Sequence, residues 1–135
     1  MDFHFETEVR VRFAETDAQG IAHNSVYLVW FEVARIDYLA RLRGGYPGLR
    51  ADGIEALTIE AGVRYLAPAR FDDRLTIRAR CGEVRGARFR FDYLVEREGE
   101  RVAEGWTTHA CVDPHTLRPT RLPQWIVDAV ARAES

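Results

Sequence analysis

The segment that most constrains the fold is residues 25–42, which read as one long and almost entirely apolar helix. Its apolar residues are Val26, Tyr27, Val29, Trp30, Phe31, Val33, Ala34, Ile36, Tyr38, Leu39 and Leu42. Because they cover well over half of the helix circumference, we expect the rest of the chain to wrap around this helix. Gly44 and Gly45 predict its end, and Pro47 with Gly48 predicts a loop after it.

Alternation of apolar and polar residues predicts five strands and a second helix. The strands are expected at residues 6–13, 57–67, 74–83, 87–96 and 101–112, and the helix at 123–132. On the first strand Val9, Val11 and Phe13 share the inward face. On the second strand the shared face carries Leu57, Ile59, Ala61, Val63 and Tyr65. One long helix after the first strand, followed by four strands in succession, indicates an α+β fold with an antiparallel sheet curling around that helix.

Composition bounds what the chain can do. A length of 135 residues suits a single domain spanning residues 1–135. A net charge of −2 gives no support for binding nucleic acid, although all 19 basic residues are Arg, which pairs well with phosphate and carboxylate. The N-terminus does not resemble a signal peptide, and no apolar run reaches the ~20 residues of a membrane span. Cys81 and Cys111 fall inside predicted strands, so we expect two buried reduced thiols and a cytoplasmic protein.

The turn before the long helix carries the most suggestive chemistry. Asp17 and Gly20 form an Asp-x-x-Gly turn, and Asn24 or Ser25 can cap the helix that follows. A helix start presents unpaired N–H groups and partial positive charge, so it can stabilise an oxyanion. A carboxylate beside it can attack a carbonyl or activate water. The spacing alone also fits a simple turn, in which Asp17 only accepts backbone hydrogen bonds.

The same stretch resembles a known family. The matching residues are Arg12–Ile21, Asn24, Tyr27, Phe31, Glu32, Ala34 and Arg35, then Tyr65–Pro68, Asp73, Val112, Asp113, Arg118 and Pro119. They are similar to hotdog-fold acyl-CoA thioesterases of the 4-hydroxybenzoyl-CoA thioesterase family. The resemblance implies a hotdog fold, assembly as a homodimer or homotetramer, and hydrolysis of an acyl-CoA. It implies no metal or other cofactor.

The resemblance also assigns roles to individual residues. It implies that Asp17 attacks the thioester or activates water, and that the backbone N–H at Asn24 polarises the thioester carbonyl. Gly20 supplies backbone freedom in the turn. His23 either assists protonation or is a solvated or capping residue. Tyr27 either lines the acyl pocket or packs in the core.

Glu32 is a secondary candidate, because another branch of hotdog thioesterases uses a helix glutamate as the catalytic carboxylate. It can equally pair with Arg35 on the helix surface. His109 is expected to pack in the core or to bond across strands, and His4 and His115 are expected at the surface.

The CoA phosphates call for guanidinium groups at the mouth of the site. The candidates on the polar faces or turns of the strands are Arg64, Arg85, Arg88 and Arg90. Two other functions remain open. One is a module that binds acyl-CoA or an acyl carrier protein without catalysis. The other is a hotdog enoyl-CoA hydratase, which the absence of an Asp-x-Asn-Pro-x-His element makes the weaker alternative.

Overall fold

A computed structural model describes residues 1–42 and 44–135 of the chain. The strands are β1 (Phe5–Arg10), β2 (Glu55–Tyr65), β3 (Arg74–Arg85), β4 (Arg88–Arg97) and β5 (Glu100–Val112). The helices are α1 (Val26–Ala40), α2 (Gly45–Ala51) and α3 (Gln124–Glu134). All strand pairs are antiparallel, in the order β1-β3-β4-β5-β2, so β1 and β2 form the two edges. The predicted α+β fold, with a five-stranded antiparallel sheet and a C-terminal helix, is confirmed.

The inner face of the sheet packs against α1. From β3 and β4 it carries alternating apolar residues with almost no exposed surface, namely Leu75, Ile77, Ala79, Cys81, Phe89, Phe91, Tyr93 and Val95. From α1 the buried residues are Tyr27, Trp30, Phe31, Ala34, Arg35, Tyr38 and Leu39. Phe31 stacks on Tyr93 with ring centroids 4.3 Å apart. Stacked rings of this kind contribute beyond the area that they bury, so this pair fixes the helix over the middle of the sheet.

The expectation that the whole helix is wrapped was too broad. Leu28, Val29, Val33 and Ile36 remain exposed on α1. The sheet covers one side of the helix, because five strands bend around it without closing into a barrel. An apolar strip of α1 is therefore left uncovered in the single chain.

The predicted loop after α1 was wrong at residues 45–48, which begin the short helix α2. Pro47 lies in the first turn of α2, where a backbone N–H has no partner within the helix, so its missing donor costs nothing there. Gly44 and Gly48 lie under the indole of Trp125, since a Cβ at either position would lie 3.2 Å from that ring. The helix is thus stabilised by a tertiary contact with α3.

The predicted inward face of β2 was also partly wrong. A bulge interrupts the β2–β5 register between Thr58 and Glu60. Before the bulge Thr58 pairs with the buried His109, and after it Ala61 pairs with the buried Thr107. One extra residue reverses which side chains face the core, so Leu57 and Ile59 are exposed.

Two smaller expectations have different outcomes. Phe13 was predicted to face inward, but the strand stops at Arg10 and Phe13 lies exposed in a 3-10 turn at Phe13–Glu15. The two cysteines are buried and unpaired as expected. Burial raises the pKa of both thiols, that of Cys111 to about 11. None of the helices in the described ranges is long and apolar enough to cross a membrane.

Candidate active site

Backbone hydrogen bonds close the turn that carries Asp17 and attach it to a neighbouring segment. The Asp17 N–H donates to the carbonyl of Ile21 at 2.9 Å, and the Gly20 N–H donates back to the carbonyl of Asp17 at 2.9 Å. Gly20 has φ +80°, a conformation that side chains other than glycine's rarely adopt. The Ala22 N–H then donates to the carbonyl of Ala69 at 2.7 Å, which ties the turn to the segment after β2.

The two carboxylate oxygens of Asp17 differ in their partners. Oδ1 accepts the Gln19 N–H at 2.8 Å, which is the ordinary structural role of aspartate in a turn. Oδ2 accepts no hydrogen bond from the described residues. The side chain is half-buried rather than fully solvated. The turn interpretation of Asp17 is therefore correct for one oxygen and leaves the other available.

At the start of α1 a histidine acts as the cap. The Ser25 N–H donates to Nδ1 of His23 at 3.1 Å, and the Ser25 hydroxyl lies 2.8 Å from the same nitrogen. Nδ1 is therefore the acceptor, and in the neutral ring Nε2 carries the proton. No side chain at Asn24 or Ser25 caps the helix. The backbone N–H of Asn24 donates to no acceptor among the described residues.

Asp17 and the start of α1 line one cavity. Its volume is about 560 Å³, and it is lined by Asp17, Gln19, Ile21, Ala22, His23, Asn24, Tyr27, Tyr65, Leu66, Ala67 and Pro68. The Tyr65 hydroxyl donates to the carbonyl of Asn24 at 2.7 Å, and its ring meets Tyr27 edge-on at 5.0 Å. Tyr27 is both buried and part of the cavity wall, so its two proposed roles coincide. Burial raises the pKa of its phenol, which keeps Tyr27 protonated and neutral.

Comparison with known proteins identifies the family of this chain. Residues 11–130 match the model of the thioesterase-like superfamily. The chain belongs to that family. The hotdog fold and the thioesterase family that the sequence resemblance implied are both confirmed.

Individual members of the thioesterase-like superfamily are similar over nearly their whole length. The acyl-CoA thioester hydrolase YbgC of Escherichia coli O157:H7 is 32% identical over 124 residues, covering 91% of this chain and 92% of its own. A hypothetical protein of Thermus thermophilus is 39% identical with a TM-score of 0.88, covering 95% and 98%. A thioesterase from the same species, solved with coenzyme A and zinc, is 27% identical with a TM-score of 0.83, covering 98% and 95%.

Glu32 does not join the Asp17 cavity of this thioesterase-like chain. It lies eight residues after Asn24, about 12 Å along the helix axis. It lines a separate cavity between α1, α2 and the start of β2. The alternative pairing with Arg35 on the helix surface was wrong, because Arg35 is buried and bonds to Tyr46 and Tyr93.

The four arginines predicted for CoA lie away from the Asp17 cavity. Arg64 pairs with Glu104 at 3.7 Å and lines a cavity of about 640 Å³ on the outer face of the sheet. Arg85, Arg88 and Arg90 line another outer cavity at the β3–β4 hairpin. That hairpin lies at the far end of β4 from Arg97, roughly 30 Å away at about 3.3 Å per residue.

Two arginines that the sequence reasoning missed lie beside the Asp17 cavity. Arg97 donates to the carbonyl of Pro68 at 3.0 Å and pairs with Asp73 at 2.7 Å. Arg70 forms an isolated bridge with Ile21 in the Asp17 turn. The predicted strand topology could have identified both arginines, because in an antiparallel meander the end of β4 and the segment after β2 meet at the same end of the sheet.

The remaining histidines lie where the sequence reasoning expected them. His109 is buried, stacks on Phe89 at 4.9 Å, and bonds to Thr107 and Thr58. Burial and the charge of Arg35 lower the pKa of His109 to about 3. His4 and His115 are exposed.

Proposed function

We propose that this protein hydrolyses an acyl-CoA thioester to free CoA and a carboxylic acid, with Asp17 as the nucleophile or general base. The observation that carries the proposal is that Asp17 and Asn24 line one cavity, each with an unused polar group. Asp17 has a carboxylate oxygen without a donor among the described residues, and Asn24 has a backbone N–H without an acceptor among them. Similarity to an acyl-CoA thioester hydrolase and to a thioesterase solved with coenzyme A supports CoA as the carrier.

Thioester hydrolysis gives the Asn24 N–H and the Asp17 carboxylate different roles. The thioester oxygen accepts the Asn24 N–H at the start of α1, where the helix dipole also favours developing negative charge. Asp17 either attacks the carbonyl carbon, forming an anhydride that water then cleaves, or removes a proton from the attacking water. In both routes the carbon–sulfur bond breaks and the CoA thiolate leaves, taking up a proton from solvent or the site. A thiolate is a good leaving group, so no dedicated general acid is required.

For the CoA phosphates we favour the arginines beside this cavity. Arg97 and Arg70 are close to the segment that lines it. Of the four predicted arginines, Arg64 is the nearest in the chain, because it immediately precedes Tyr65 of the cavity wall, but its side chain lines the outer cavity. Arg85, Arg88 and Arg90 can serve only from a second copy of the chain, because their cavity is at the opposite end of β4.

We propose that the protein is a homodimer joined through β2, with a homotetramer formed only if two such dimers also associate. β2 pairs with β5 alone among the described strands, so its other edge has unpaired backbone groups. Leu57 and Ile59 of β2 are exposed, as are Val29 and Val33 of the neighbouring helix α1. An isologous antiparallel β2–β2 contact would cover the edge and these side chains together. It would also bring the β3–β4 hairpin of one copy towards the Asp17 end of the other.

The test is the release of free thiol from a panel of acyl-CoAs, from acetyl-CoA to palmitoyl-CoA with benzoyl-CoA and phenylacetyl-CoA. Wild type is compared with Asp17→Asn, which removes the charge but keeps an oxygen that can accept the Gln19 N–H. We expect a loss of about 10²-fold or more in kcat, the usual cost of a lost general base. Asp128→Asn, on an exposed face of α3, is the matched control and should keep full activity.

Activity of Asp17→Asn within threefold of wild type would remove Asp17 from the mechanism. If wild type releases no thiol from any substrate while it remains folded, the protein is a binding module or acts on an acyl carrier protein. Binding of a non-hydrolysable acyl-CoA analogue then indicates a binding module, and absence of binding favours an acyl carrier protein as the substrate.

A further inference from the structure

A second cavity, of about 500 Å³, lies between α1, α2 and the start of β2 and shares no lining residue with the Asp17 cavity. Its lining includes Arg35, Tyr46 and Thr58. Arg35 is only 6% exposed, which is unusual for a guanidinium. A buried charge is costly unless an opposite charge or several hydrogen bonds compensate it. No carboxylate of the described residues lies within ion-pair distance of Arg35.

The partners of Arg35 are neutral hydroxyl groups. Its Nε donates to the Tyr46 hydroxyl at 3.3 Å, and one Nη donates to the Tyr93 hydroxyl at 3.2 Å. A guanidinium has five N–H groups and no acceptor. Only two of the five therefore find an acceptor among the described residues. Arg35 therefore has more N–H donors than this part of the chain has acceptors for them.

A chain of hydrogen bonds fixes where the other protons point. Because Arg35 can only donate, the Tyr93 oxygen accepts from it. The buried Tyr93 hydroxyl has Thr107 as its only other partner among the described residues, so Tyr93 donates its proton to Thr107 at 2.7 Å. Thr107 then donates to Nε2 of His109 at 2.7 Å. His109 is neutral, so its proton is on Nδ1 and is donated to Thr58 at 3.3 Å. The hydroxyl proton of Thr58 is left for another acceptor.

The two residues at the ends of this series of hydrogen bonds lie at the same cavity. Arg35 and Thr58 both line it, and both are left with protons to donate. Tyr46 also lines it, and because its oxygen accepts from Arg35 its proton is likewise available. Three donors and a positive charge thus converge on one space. Such a space is complementary to an oxyanion, which only accepts hydrogen bonds.

The other charged groups at this cavity are Glu32, Glu55 and Arg50. Arg50 and Glu55 approach to 4.0 Å, so their charges compensate each other. Glu32 is exposed at the rim, whereas Arg35 is buried beneath it. The remaining wall is apolar, with Ile36, Pro47 and Ala56. An apolar wall with one buried cation suits a small organic molecule that carries a carboxylate.

We propose that this cavity binds the carboxylate of a small organic acid through Arg35, Tyr46 and Thr58. The carboxylate belongs either to a free acid or to the far end of a long acyl group, since Thr58 lies seven residues before Tyr65 on β2, roughly 23 Å at about 3.3 Å per residue. Both sources present the same planar oxyanion, which a guanidinium can bind with two parallel hydrogen bonds.

The test is calorimetric titration of the full-length protein with benzoate and hexanoate, and with benzamide as the neutral counterpart of benzoate. We expect saturable binding of the two acids and none of benzamide. Thr58→Val and Tyr46→Phe each remove one donor, so each should weaken benzoate binding about tenfold or more, the cost of a hydrogen bond to a charged group. Thr108→Val, on the outer face of β5, is the matched control and should bind as wild type does. Thermal melting verifies that each variant is folded.

Absence of benzoate binding to wild type would overturn the proposal. Equal binding by wild type, Thr58→Val and Tyr46→Phe would also overturn it, because the acid would then be bound elsewhere. The source follows from turnover of hexadecanedioyl-CoA and palmitoyl-CoA, an arm that rests on the proposed hydrolysis. A selective loss of kcat/KM for hexadecanedioyl-CoA in Thr58→Val assigns the carboxylate to the substrate. Unchanged turnover of both, with weakened benzoate binding, assigns it to a free acid.

Discussion

The Tyr65 hydroxyl donates a 2.7 Å hydrogen bond to the carbonyl oxygen of Asn24, joining the end of β2 to the start of α1. Both residues line the cavity that Asp17 lines, and the bond holds the backbone whose N–H we propose as the oxyanion donor. Tyr65 is thus a positioning residue, since its hydroxyl acts through Asn24.

We expect Tyr65→Phe to lower kcat/KM for acyl-CoA hydrolysis about three- to tenfold. The phenylalanine ring keeps the edge-on contact with Tyr27, so only the hydrogen bond is lost, worth about 1 kcal/mol. Steady-state kinetics with thermal melting of the same protein separate misplacement of the donor from unfolding. An unchanged kcat/KM would show that the helix start is held without this bond.

Gly105→Ala should strongly destabilise the fold. A Cβ at position 105 would lie 2.5 Å from the carbonyl oxygen of Gly62 and 2.6 Å from the Phe31 ring, so β5, β2 and α1 leave no room there. Overpacking of this kind costs about 1–3 kcal/mol, and backbone contact makes relief difficult. Urea unfolding measures the loss. Gly82→Ala is the matched control, because its nearest neighbour is the flexible end of Arg80 at 4.0 Å, and it should change stability far less.

His109 should make the fold sensitive to mild acid. Its pKa is about 3 in the folded protein, against about 6.5 for an unperturbed histidine, so the unfolded chain binds the proton more readily. Its contribution to stability is present above pH 6.5 and falls as pH drops from 6.5 towards 3. Linkage gives a loss on the order of 3 kcal/mol between about pH 7.5 and about pH 4. Urea unfolding at several pH values measures this, and His109→Gln should show a smaller slope. Equal slopes would contradict the assignment.

Ile59→Lys should convert the proposed dimer to a monomer. Ile59 is exposed at the bulge of the free β2 edge, and a lysine there places a charge inside any β2–β2 contact. Sedimentation velocity at micromolar concentration measures the change. Leu117→Lys is the control, because Leu117 is also apolar and exposed but lies after β5, outside the edge. A monomeric wild type would contradict the proposed assembly.

Prediction from the sequence succeeded where a local pattern had one physical solution. Alternation over β3 and β4 assigned their inward residues correctly, because a strand presents successive side chains to opposite faces. Prediction failed at β2, where one bulged residue reversed the faces, and at α2, where contact with Trp125 stabilises a short helix around two glycines and a proline. Local pattern carries no information about such contacts, which join segments far apart in the chain.

The sequence by itself determined the apolar helix, the antiparallel meander and the placement of Asp17 in a turn before a helix start, because all three depend on neighbouring residues. Only the tertiary structure decided which residues share a cavity. It joined Tyr65 to Asn24 across 41 positions, placed Glu32 away from Asp17, and buried Arg35 among hydroxyl groups supplied by α2 and β4. Charge and residue type predict what a side chain can do, but packing determines which groups it meets.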